Sequence, residues 1–67
     1  MVLTDKQKKK LGFTLCAVNK DELIHWSEEI RFNTTSQTLY DNETKKSIAK
    51  VNSFEELKDL IENVLML

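Results

Sequence analysis

Sixty-seven residues, 40% apolar and 31% charged with a formal net charge of −1, have the composition of an ordinary globular chain. They exclude a disordered segment, any bulk attraction to nucleic acid or anionic membrane, and a membrane-spanning helix, which needs about 20 consecutive apolar residues. A single cysteine, Cys16, excludes an internal disulfide, so a chain this short must rely on efficient packing or on a second subunit.

The first ten residues place lysines after a short apolar bit and lead into LGFTLCAV. The order of basic then apolar residues imitates a secretory signal. Removing everything to Ala17 would leave about 50 residues with little core, so we expect the intact chain in the cytoplasm. Thr4 and Gln7 are spaced as a capping box, which predicts a short helix over 4–11. Beyond it, Phe13, Leu15 and Ala17 alternate with Thr14, Cys16 and Val18 as a strand would, while Leu11, Leu15 and Val18 fit a helical stripe. Both continuations are open on the sequence.

Residues 19–30 also read two ways. As a strand, Ile24, Trp26, Ile30 and Phe32 share a face, with Glu28 the one violation. As a helix, Asn19 and Glu22 form a cap, and Leu23, Trp26 and Ile30 line one side. The cap favours a helix over 20–29. EIRFN then adds a strand through the NTTS turn. Leu39, Tyr40, Ile48 and Val51 around the turn-forming DNETKK predict a hairpin over 37–51.

The last segment carries the clearest pattern. Ser53 and Glu56 form a capping box, and a turn of about 100° per residue gathers Phe54, Leu57, Leu60, Ile61, Val64, Leu65 and Leu67 on one arc. A helix over 54–66 follows. Its arc spans roughly 160°, wider than one packing surface needs, and divides into two seams. Leu57, Leu60, Val64 and Leu67 make one; Phe54, Ile61 and Leu65 make the other. The second cover is either the N-terminal segment, through Leu11, Phe13 and Leu15, or the same helix of a second subunit. The expected whole is a single small α+β domain over 1–67. In it a hairpin or three-stranded meander is packed by N-terminal helical segments and a C-terminal amphipathic helix.

Chemistry is sparse. Cys16 and His25 are the only thiol and imidazole, without a third group to orient them, and a helical His25 projects from the polar side into solvent. No three or four ligands have metal spacing, and no cofactor is expected. Glu28 and Glu29 are neighbours that diverge on a helix rather than an acid/base pair. Lys6, Lys8, Lys9 and Lys10 form one basic cluster and Lys45, Lys46 and Lys50 another. Side by side they would track a phosphate backbone weakly and without sequence preference, though a solvated face is the simpler reading. Trp26 and Tyr40 are large anchors, Trp26 expected in the core. The lysine- and asparagine-rich composition suits an AT-rich bacterial or phage genome.

These features lead to an expectation of a small non-enzymatic protein-interaction module that regulates or inhibits a partner. Its candidate interface is Leu57, Leu60, Val64, Leu67 and Tyr40, with a homodimer through the C-terminal helix as one form. The alternative is a nucleic-acid-binding accessory protein acting through Lys6, Lys8, Lys9, Lys10, Lys45 and Lys46.

Overall fold

The structure, a computed structural model, describes residues 3–16 and 18–65. It is an α+β arrangement of two helices and a five-stranded antiparallel sheet: α1 (Asp5–Leu11), β1 (Phe13–Leu15), β2 (Glu22–His25), β3 (Ile30–Asn33), β4 (Thr38–Asp41), β5 (Ser47–Lys50) and α2 (Phe54–Leu65). The strands lie in chain order, so each pairs with its sequence neighbours. No helix among the described residues is long and apolar enough to cross a membrane.

Local chemistry sets the element ends. At α1 the box is reciprocal: Gln7 N–H donates to Thr4 Oγ1 at 3.1 Å, and Thr4 N–H donates to Gln7 Oε1 at 2.9 Å. Gly12, at φ 85°, closes the helix in the left-handed region. Ser53 caps α2 by accepting from Glu56 N–H at 3.2 Å. The three later hairpins contain no glycine, and each places an ordinary residue at positive φ: Glu28 (62°), Gln37 (56°) and Lys45 (63°). In two of them a carboxylate or amide oxygen organises the turn. Asn33 Oδ1 accepts from Thr35 and Ser36 N–H, and Asp41 Oδ1 accepts from Glu43 and Thr44 N–H.

One side of the sheet is the core. Phe13, Leu23, Ile30, Phe32 and Leu39 are buried with Leu3, Leu11, Val51, Leu57 and Ile61, and Phe54, Leu60 and Leu65 pack against them. Of the candidate covers of α2, the N-terminal segment contributes Leu11 and Phe13 to this core, whereas Leu15 is 62% exposed. Val64 stays 39% exposed, and Leu67 lies outside the described residues.

The structure corrects the helix expected over 20–29. That stretch is a turn, strand β2 and a second turn. Asn19 Oδ1 accepts from Asp21 N–H at 3.0 Å, and Asn19 C=O accepts from Glu22 N–H at 3.2 Å, so the apparent helix cap is a tight turn feeding a strand. The inward face also differs from the strand alternative. Pairing of Leu23 with Phe32 and of Ile24 with Arg31 matches odd positions on β2 to even ones on β3. Leu23 and His25 therefore join Ile30 and Phe32 inside, and Ile24 turns outward. Two residues swap roles as a result: Trp26, expected in the core, is 69% exposed, whereas His25, expected in solvent, is 1% exposed. The sheet is also wider than the two or three strands expected.

Candidate interaction surface

With α2 and the inward side chains filling one face, the other face of the sheet carries two cross-strand rows. The register aligns Thr14, Ile24, Arg31, Tyr40 and Ser47 in the first. The second runs Cys16, Glu22, Asn33, Thr38 and Lys50, its first step closed by Cys16 N–H donating to Glu22 C=O at 3.1 Å. The β1–β2 ladder continues one step past β2: Trp26 N–H donates to Gly12 C=O at 2.9 Å. Trp26 follows β2 in the turn, exposed at the end of the sheet with its indole 5.3 Å from the His25 ring.

Arg31 is held through Asn42. Its Nε donates to Asn42 Oδ1 at 2.6 Å, and Asn42 Nδ2 donates to the Glu28 carbonyl at 2.7 Å, which ties the side chain to both flanking turns. Tyr40 stands opposite it. Partial burial raises the Tyr40 hydroxyl above the usual phenol range, the Glu22 carboxylate facing it adds to this, and Arg31 opposes. The same Glu22 keeps one carboxylate oxygen, Oε2, buried with no hydrogen-bond partner. The centre of the open face thus holds a cation, a phenol and a carboxylate.

Cys16 is half-buried at the end of the second row. The backbone N–H groups of Val18 and Asn19 hold its thiol below the usual range, with a smaller contribution from Arg31. His25 belongs to the opposite face. Ser27 N–H donates to its Nδ1 at 3.2 Å and Ser27 Oγ lies 2.8 Å from the same nitrogen; burial lowers its pKa, and the Leu11 carbonyl beside the ring opposes that shift. The structure does not bring Cys16 and His25 together, and the described residues hold no cluster of three His, Cys, Asp or Glu arranged for a metal ion.

The remaining predicted residues scatter. Leu57 is fully buried in its own chain, Leu60 packs against the core, and Val64 is open to solvent. Lys6, Lys9 and Lys10 are exposed on α1, and Lys8 is partly covered and 3.9 Å from Asp5. Lys45 and Lys46 are exposed in the β4–β5 turn. Since α1 adjoins β1 and that turn lies at the other end of the strand order, the two clusters sit at opposite edges of the sheet. Tyr40 is the predicted residue that falls on the open face. Arg31 joins it there without having been singled out, since a lone arginine has no pattern; Trp26, named with Tyr40 as an anchor but expected in the core, is exposed beside His25 at the end of the sheet.

The chain matches no protein-family model, no curated protein and no solved structure.

Proposed function

We propose that this chain is a small non-enzymatic interaction module, working in the reducing cytoplasm, that regulates or inhibits a partner protein docked on the open face of the sheet. The observation that carries this reading is the pairing of Arg31 with Tyr40 on that face, with Trp26 exposed at the end of the sheet. These three residue types dominate binding energy at protein interfaces. Their support favours binding as well: Arg31 is already immobilised, so little side-chain entropy remains to be lost on docking. Glu22 adds a carboxylate that faces the Tyr40 hydroxyl.

Dimerisation through α2 is less well supplied. With Leu57 committed to the core, the predicted seam retains Leu60 and Val64 among the described residues. The nucleic-acid alternative would have to use the α1 lysines by themselves, because the two clusters are at opposite edges.

The test is affinity capture from the native host with wild type and with Arg31→Ala, Tyr40→Ala and Trp26→Ala chains whose folding has been verified by circular dichroism. Proteins held by wild type should be lost from at least two of the three variants. An identical captured set would refute the open face as the docking surface. Retention on DNA or RNA that disappears on charge reversal of Lys8, Lys9 and Lys46 would instead support the alternative.

A further inference from the structure

The two edges of the sheet are built differently. Edge strand β5 has the features that discourage another strand from pairing with it. Its register against β4 slips between Leu39 and Tyr40, which breaks the regular alternation of its outward backbone groups. Lys46 and Lys50 flank it, and both are exposed.

Edge strand β1 has none of these features. The bonds Trp26 N–H to Gly12 C=O and Cys16 N–H to Glu22 C=O frame an uninterrupted register in which Phe13 faces His25 and Leu15 faces Leu23. In such a ladder Gly12, Thr14 and Cys16 bond inward to β2. The N–H and C=O groups of Phe13 and Leu15 therefore point away from the sheet, in the alternating narrow and wide spacing of an antiparallel strand. Among the described residues no other element takes up those groups. Leu15 on this edge is 62% exposed, and Val18, in the turn that follows it, is 95% exposed, so the edge is apolar at its end. Beside it stands α1 with Lys6, Lys9 and Lys10 exposed.

We infer that β1 is a strand-addition site, and that its occupant is an extended segment of the partner protein with aliphatic residues at alternate positions and acidic residues between them. Backbone groups of Phe13 and Leu15 supply the pairing, Leu15 and Val18 take the aliphatic side chains, and the α1 lysines select the acidic character. A second copy of the same chain fits less well, because antiparallel pairing of two β1 strands would bring two lysine-rich α1 helices to one seam. The inference rests on the interaction-module reading and adds the mode of docking and the chemistry of the docked segment.

The probe is a synthetic nine-residue peptide alternating valine with glutamate, with a valine–lysine peptide as control, added to the full chain and followed by amide hydrogen exchange and backbone NMR shifts. The glutamate peptide should slow exchange at Phe13 and Leu15 by at least about tenfold, and its affinity should weaken with salt. The lysine peptide should have no effect. Leu15→Pro removes one outward N–H while sparing the inward ladder, as proline on an edge strand can, and should reduce peptide affinity at least about tenfold. Leu15→Lys, which keeps the backbone intact, should weaken binding in the same direction.

Unchanged exchange at Phe13 and Leu15 overturns the inference. If the peptide shifts only Ile24, Arg31 and Tyr40, docking on the open face survives and strand addition does not. Protection that rises with protein concentration in the absence of peptide overturns the acidic partner in favour of a second copy. Protection at Lys50 in place of Leu15 overturns the choice of edge.

Discussion

Gly12 joins two requirements at one position. Its φ of 85° suits a residue without a side chain, and an added Cβ would collide with Trp26 Cδ1 and lie 3.2 Å from His25 Nε2. Gly12→Ala should therefore destabilise the fold by about 1–3 kcal/mol, read from chemical denaturation. Because the indole is at the surface and able to move, Trp26→Ala in the same chain should restore part of the loss, and a double-mutant cycle would measure the coupling. His25 provides a pH dependence. Burial lowers its folded pKa below the free value of 6.5, so the unfolded chain binds the extra proton first as pH falls. Stability should decrease as pH drops from the unfolded value toward the folded one. The thermal midpoint should be lower at about pH 5.5 than at about pH 7.5, with a flatter profile for His25→Gln. Neither role was visible beforehand, since a helical wheel placed His25 in solvent and average residue preference placed Trp26 inside.

At the scale of elements, the helices and the last two turns were legible because each is set by adjacent residues. Thr4 with Gln7 and Ser53 with Glu56 mark helix starts, and DNETKK contains the Asp41 that organises its own turn. Strand β2 was not legible. Its four residues show too little alternation to compete with a capping pattern at Asn19 and Glu22, and its inward face depends on a register fixed across the 26–29 turn. That turn holds Glu28 at φ 62°, a conformation that disfavours a side chain by about 1–2 kcal/mol. Glu28→Gly should therefore raise stability by about 0.5–1 kcal/mol in a denaturant titration, after the greater freedom of glycine in the unfolded chain is allowed for. For α2 the amphipathic arc was legible, but not which seam would be innermost. Leu57→Ala should destabilise by about 2–5 kcal/mol, as large-to-small changes in a packed core do. Val64→Glu should stay within about 0.5 kcal/mol of wild type if that position faces only water.

For the molecule as a whole, the open face was legible only through Tyr40. The placing of Arg31 and Glu22 around it is a product of register across strands, which a linear pattern does not encode. The division of labour between faces lets binding residues be changed with little effect on the core. In so small a chain that separation has value, because native stability is only a few kcal/mol in total. Pairing strictly between sequence neighbours also keeps loop closure short. The sequence contains no proline. Refolding from denaturant in stopped flow should be a single phase on the millisecond-to-second scale, with no component at tens of seconds of the kind proline isomerisation produces.

The exposed position of the sole tryptophan has a practical consequence for spectroscopy. An indole already bathed in water shifts its emission little when the chain unfolds, so a melt followed by fluorescence would look shallow while ellipticity reported the full transition. The same optical quietness makes it a sensitive beacon for contact: any body settling over Trp26 would exclude water and move its emission to the blue.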